Sequence, residues 1–241
     1  QNVAIEPVTN ALNVNLPRSA FGEVTVVNPT PVVQVDFVYN INSDVMDSST
    51  TGSGTITQAD SMAVLQTTAA SSSSALLETR RFIKYRPGQG VVVRGTALYT
   101  TGAANSEQLF GAGDVDDGLF FGYNGTAFGV MSRNDGTDTW IAQTAWNGDV
   151  MDGTGGSSNP SGQLLDPTKG NVYQIRFQWL GFGRIEFGVE DSATGRFVGV
   201  HSIEYANNNL VPSLLNPSFP IIWSVENTTN TTNITLKGSS G

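Results

Sequence analysis

Apolar and polar residues alternate with a period of two over long parts of the chain, the pattern of half-buried antiparallel strands. In Tyr173 to Leu180, the residues Tyr173, Ile175, Phe177 and Trp179 point one way and Gln174, Arg176 and Gln178 the other. Gly181-Phe182-Gly183 then turns the chain, and Ile185, Phe187 and Val189 alternate with Arg184 and Glu186. Ser192-Ala193-Thr194-Gly195 turns it again into Arg196 to Tyr205, so three successive hairpin-linked strands are predicted. The densest β signal lies between Arg80 and Arg133. Arg86-Pro87-Gly88-Gln89-Gly90 reads as a turn ahead of a long strand, Val91 to Tyr99. Asn124-Gly125 between two apolar runs predicts a type I′ hairpin in which Phe121 faces Phe128 and Leu119 faces Val130.

Elsewhere the pattern is weaker. Pro7, Pro17, Pro29 and Pro31 argue for an extended N-terminal arm over residues 1–40, with strands at Glu23 to Val27 and Val32 to Tyr39. In the second of these, Val33, Val35, Phe37 and Tyr39 share one face, so the arm is expected to dock on a sheet. Residues 42–75 are rich in Ser, Thr, Gly and Ala; strands are expected around Gly54 to Ile56 and Met62 to Gln66, with a mobile loop before Leu76. A turn at Asn134 to Asp138 leads into Thr139 to Gln143, and residues 147–170 read as a long surface loop. Phe219 to Val225 and Asn233 to Leu236 close the pattern. Roughly ten to fourteen strands at this spacing predict an all-β fold, an antiparallel β-sandwich or jelly roll. It occupies residues 41–237 as one domain, with 238–241 (Gly-Ser-Ser-Gly) as a flexible tail.

Composition narrows the partners. The chain has 241 residues, 27 of them glycine, and only 14% are charged, which suits short strands joined by tight turns and leaves helix poorly supported. Its net charge of −9 means that a phosphate backbone or an anionic membrane surface is expected to be repelled rather than attracted, which disfavours nucleic acid as a partner. There is no cysteine, hence no disulfide and no thiolate chemistry. No apolar run approaches the ~20 residues of a membrane-spanning helix. A self-associating chain is expected, because an extended arm can add a strand to a neighbour's open edge; a homotrimer is the specific expectation.

Candidate chemistry is sparse. Asp114, Asp116 and Asp117, with Asp135 and Asp138 a hairpin away, offer hard oxygens to Ca²⁺ but lack the spacing of a helix-loop-helix calcium loop, so no cofactor is expected. Glu186 and Glu190 share a strand face but lie about 13 Å apart, too far for the direct carboxyl partners of a glycosidase, although a carboxylate on another strand could complete a pair. His201 is the only histidine and, with no G-x-S-x-G motif, reads as a packed residue. No catalytic residue is assigned. Tyr123, Trp140 and Trp146 lie near turns where rings can stack on sugar faces, making glycan contact the alternative function. Asn227, Asn230 and Asn233 are clustered N-glycosylation sequons, and Asn124 is a fourth whose asparagine its turn also needs.

The strings LETRRFIKYRPGQG, TALYTTGAANSEQLFGAGDVDDGLFFGYNGTAFGV and LDPTKGNVYQIRFQWLGFGRIEFGVED resemble a group of β-rich structural proteins of large double-stranded DNA viruses and bacteriophages. The resemblance covers about Leu76 to Leu236. It implies a concanavalin-like or lectin-like jelly roll acting as a capsid-associated or fibre-type virion component, with other virion proteins as partners and an extracellular or virion setting. It transfers no functional residue. A glycan-binding host-attachment module and, third, a polysaccharide-active enzyme are the alternatives.

Overall fold

The computed structural model describes residues 4–5, 12–13 and 30–241. Short strands β1 (Ala4–Ile5) and β2 (Leu12–Asn13) pair with each other; the expected strand at Glu23 to Val27 lies outside the described residues. The remaining strands are β3 (Met46–Thr51), β4 (Thr55–Ala59), β5 (Met62–Gln66), β6 (Ser73–Thr79), β7 (Val91–Tyr99), β8 (Ser106–Gly113) and β9 (Gly118–Asn124). They continue with β10 (Ala127–Asn134), β11 (Thr137–Ala142), β12 (Asn171–Phe177), β13 (Ile185–Glu190), β14 (Phe197–Ile203), β15 (Ile221–Asn227) and β16 (Thr235–Gly238). Two seven-stranded antiparallel sheets result. The front sheet runs β11-β10-β9-β8-β15-β6-β3 and the back sheet β14-β13-β12-β7-β16-β5-β4. The fold is an all-β, concanavalin-like antiparallel sandwich.

Alternation decides which residues fill the interior. Phe110, Phe121, Val130, Trp223 and Leu77 of the front sheet meet Tyr99, Tyr173, Ile175, Phe187 and Leu236 of the back sheet, all buried in one core. Trp223 stands at its centre, 5.2 Å from the Phe110 ring and 5.4 Å from that of Phe37, and its indole N–H donates to the Thr96 carbonyl at 3.0 Å. A Cβ on Gly238 would lie 2.3 Å from that indole nitrogen, so only glycine fits beside it.

The hairpin between β9 and β10 forms, with its register moved by two residues from the expected one. Phe128 opposes Tyr123 and Val130 opposes Phe121, so Gly125 and Thr126 make the turn. Gly125 has φ +60°, which suits the first central position of a type II′ turn. An even shift preserves the faces, and Phe121, Phe128 and Val130 still point inward. Asp135 and Gly136, both with positive φ, make the two-residue turn between β10 and β11.

The Ser/Thr-rich region is more regular than composition suggests: β3 covers Met46–Thr51, and β6 begins at Ser73, inside the expected mobile loop. The terminal Gly-Ser-Ser-Gly is likewise not a flexible tail. Thr96 Oγ1 accepts the amides of Ser239 (2.8 Å) and Ser240 (3.1 Å), and Val35 and Gly241 exchange backbone hydrogen bonds of 2.9 and 3.1 Å. Backbone groups pair whatever the side chain, so a linker-like composition does not prevent docking. These bonds tie down residues 35–37, burying Val35 and Phe37, while Tyr39 faces outward rather than sharing their face. The 147–165 loop is held by the buried Asp149, whose carboxylate accepts the amides of Met151 (2.9 Å) and Ser161 (2.8 Å), and by Asn159, which donates to Asp152 and Gln163.

Candidate functional site

The outer face of the front sheet carries the most unusual chemistry in the molecule. Its middle is apolar: Leu109, Phe120, Met131 and Ile222 point away from the sandwich interior yet are buried as a second cluster, with Leu76 and Trp140 packed against them. The Arg133 guanidinium lies 5.5 Å over the Phe120 ring and is fixed by two bonds to Asp138, at 2.6 and 3.0 Å. Phe120 can lie flat because the sheet is glycine-lined there; a Cβ on Gly113 or Gly118 would come within 2.4 Å of its ring.

Toward the end where β8 begins and β15 finishes, this face turns polar. Thr51 opposes Ser74, Ser74 opposes Glu226, Glu226 opposes Glu107, and Glu107 opposes Asn124. Direct partners across a ladder share a face, so these side chains form one continuous row across five strands, about 19 Å long at ~4.8 Å per strand. A cleft lined by Ser72, Ser73, Thr228 and Thr229 opens beside Thr51, Ser74 and Glu226. The next row toward the middle contains Ser49, Leu76, Ser224, Leu109 and Gly122, a shelf of mainly small residues.

The two carboxylates of the row differ. Glu226 is exposed, whereas Glu107 is half-buried, and burial is the main cause of a pKa pushed up to about 7. The Arg133 charge opposes that rise, and Asp138 and Glu226 add to it. Glu78, on the same face, is also raised, first by burial and then by Asp47 and Asp114. Two carboxyl groups side by side, with hydroxyls and a carboxamide on either side, supply both donors and acceptors to a polyhydroxylated ligand.

The sequence-predicted residues are placed differently. Tyr123 and Trp146 are buried core residues, Tyr123 edge-on to Tyr99 and Phe128 and Trp146 edge-on to Phe121, so neither presents a ring face to a ligand. Trp140 alone of the three is partly exposed; its indole N–H has no partner among the described residues. The acidic turn is not brought together as a cation cage. Asp114 accepts the amides of Asp116 and Asp117, and the buried Asp117 clamps the amides of Leu215 (2.8 Å) and Asn216 (3.1 Å).

Asn227 is fully buried, its carboxamide donating to Thr67 Oγ1, Ala70 O and Thr232 O, which removes it as a glycosylation site. Asn230 Oδ1 caps Thr232, and Asn233 is exposed. His201 is a packed residue whose Nδ1 accepts the Asn147 amide at 3.3 Å. Glu186 sits in an ion-pair network with Arg176 and Arg184 on the back sheet. Glu107 and Glu226 escape sequence reading because their neighbourhood depends on β8 pairing with β15, more than 100 positions away; the only local signal is a glutamate near the end of an otherwise apolar strand.

No family model and no curated protein matches the sequence. Among solved structures, the chain is similar to a glycosyl hydrolase family protein from Mycobacterium fortuitum, with a TM-score of 0.56 and 9% identity over 88% of this chain and 100% of that one. It is also similar to the cellulose-induced protein Cip1, with a TM-score of 0.51 and 12% identity over 87% and 95%. The carbohydrate recognition domain of Emp46p in its metal-free form aligns at a TM-score of 0.48 and 9% identity over 86% and 94%, a level that carries no argument. At these identities the likeness establishes the sandwich fold alone. The expectation of a virion structural protein is corrected here: the solved structures that the chain matches at a TM-score above 0.5 are this glycosyl hydrolase family protein and Cip1, neither of them a capsid or fibre component.

Proposed function

We propose that the chain is a glycan-binding domain that takes neutral sugar chains along the outer face of its front sheet. The observation that carries this reading is the five-strand row Thr51, Ser74, Glu226, Glu107 and Asn124 beside a hydroxyl-lined cleft. Sugar hydroxyls pair with such groups, and the small-residue shelf next to the row leaves room for a ring. The exposed Asn233 sequon accords with an extracellular setting. Calorimetric titration of a panel of neutral oligosaccharides tests the reading. Glu226→Gln and Asn124→Ala, both at exposed positions, are expected to weaken binding by about tenfold each, the loss of one or two hydrogen bonds. Binding that neither change affects, or no binding across the panel, refutes it.

A second reading rests on one register position. Glu107 and Glu226 are direct cross-strand partners, with Cβ atoms about 5 Å apart, so their side chains can bring the two carboxyls to the ~5–5.5 Å separation that retaining glycosidases use. In this reading Glu107, its pKa raised to about 7 by burial, donates its proton to the departing glycosidic oxygen as Glu226 attacks the anomeric carbon. Reducing-end release from the same panel, abolished by either Glu→Gln change, distinguishes hydrolysis from binding alone.

A further inference from the structure

One end of the sandwich combines exposed aliphatic side chains with unpaired cations in an otherwise acidic protein. Between Glu78 and Glu107 the sequence has five cations, Arg80, Arg81, Lys84, Arg86 and Arg94, and no acid. Arg80 is paired with Asp47 at 2.6 Å, and Arg94 bonds Gln174 and lies over the Phe197 ring. The cationic groups of Arg81, Lys84 and Arg86 make no ion pair or hydrogen bond among the described residues.

The loop that carries them is stapled to two others. Tyr85 stacks edge-on against Trp179 at 5.1 Å, and its amide donates to Ser218 Oγ at 3.1 Å. The Trp179 indole N–H donates to the Leu214 carbonyl at 3.1 Å, and the Ser213 amide to the Gly181 carbonyl at 2.8 Å. On this fixed platform Leu210 is 98% exposed, Val211 59% and Leu180 53%. Leu180 has φ +39°, a left-handed conformation that costs a non-glycine residue energy and here holds an aliphatic side chain toward solvent.

We propose that this end is a docking surface for an anionic lipid bilayer, with Leu180, Leu210 and Val211 entering the acyl boundary and Arg81, Lys84 and Arg86 meeting the headgroups. Charge complementarity selects an anionic partner, and the aliphatic tips select lipid over an anionic polysaccharide, because leucine and valine offer no ring for a sugar to stack on. The net charge of −9 describes the whole molecule; repulsion from the remaining faces orients the protein with this end toward the surface. Docking here leaves the front-sheet row free, so the two sites are independent.

Co-sedimentation of the full chain with vesicles of phosphatidylcholine alone, or with a third phosphatidylserine, tests the proposal. Binding is expected only to the anionic vesicles, weakened about tenfold by Leu210→Ser with Val211→Ser and about tenfold by Lys84→Gln with Arg86→Gln. All four positions are exposed, so the fold is retained, and unchanged circular dichroism confirms it. Absence of binding overturns the proposal, as does binding that the aliphatic pair does not affect, which marks a polyanion site instead. Concentration-dependent self-association lost in the same variants also overturns it, by making a second copy the partner.

Discussion

Replacing Glu107 with Gln should stabilise the protein at alkaline pH and leave it unchanged in acid. The folded-state pKa of Glu107 is raised from 4.5 to about 7, chiefly because its carboxyl is half-buried at the centre of the row. A raised pKa means that the folded chain binds this proton more tightly than the unfolded chain. The favourable contribution is fully present below the unfolded pKa of 4.5 and is lost as pH rises through 7. The full shift corresponds to about 3.4 kcal/mol at 1.36 kcal/mol per unit. Partial solvent exposure screens the carboxylate, so about 1–2 kcal/mol is the expected gain. Urea denaturation of both proteins at pH 8 and pH 4 reads it directly: the variant's midpoint should move up at pH 8, with an unchanged slope, and coincide with that of the native chain at pH 4. An equal difference at both pH values, or a loss at pH 8, refutes the assignment of Glu107 as a desolvated acid. If the same change also abolishes hydrolysis, the row sacrifices stability for chemistry at that residue.

Trp223→Ala, which empties the space between Phe37 and Phe110 and removes the bond to Thr96, should cost about 3–5 kcal/mol in the same denaturation assay. Asn227→Ala leaves the partners of a buried carboxamide unpaired and should cost about 1–3 kcal/mol, while mass spectrometry of chain secreted from a glycosylating host should find Asn227 unmodified. Burial lowers the pKa of His201, so its stabilising contribution is present above the unfolded value of 6.5 and is lost as pH falls through the lower folded one. His201→Phe should therefore lose less stability than the native chain between pH 7 and pH 5, as followed by thermal unfolding.

Much of the fold is legible in the sequence because a sheet's faces are a local property. Tyr173, Ile175 and Phe177 alternate into the core, the three hairpin-linked strands become β12, β13 and β14, and the two-residue turn at Asp135-Gly136 is recognisable from its residues. Exact register is less local: glycine satisfies either of two turn types around residue 125, and the two solutions differ by two residues without changing which side chains are inside. Composition misleads at Ser73–Ser74 and at residues 238–241, where backbone pairing with β15 or with Val35 and Thr96 orders segments that read as linkers. The site is the least legible part. Tyr123 and Trp146 look like ring platforms because they flank turns, yet alternation along β9 points Tyr123 inward and Trp146 packs edge-on against Phe121. Glu107 and Glu226 become neighbours only through the β8–β15 pairing.

A nitrogen-15 NMR titration of the isotopically labelled chain with neutral oligosaccharides locates the binding face directly. Amide shifts are expected to cluster on Ser74, Glu107, Asn124 and Glu226, on the outer face of the front sheet. Shifts confined to the back sheet, or an unperturbed spectrum across the panel, would contradict it.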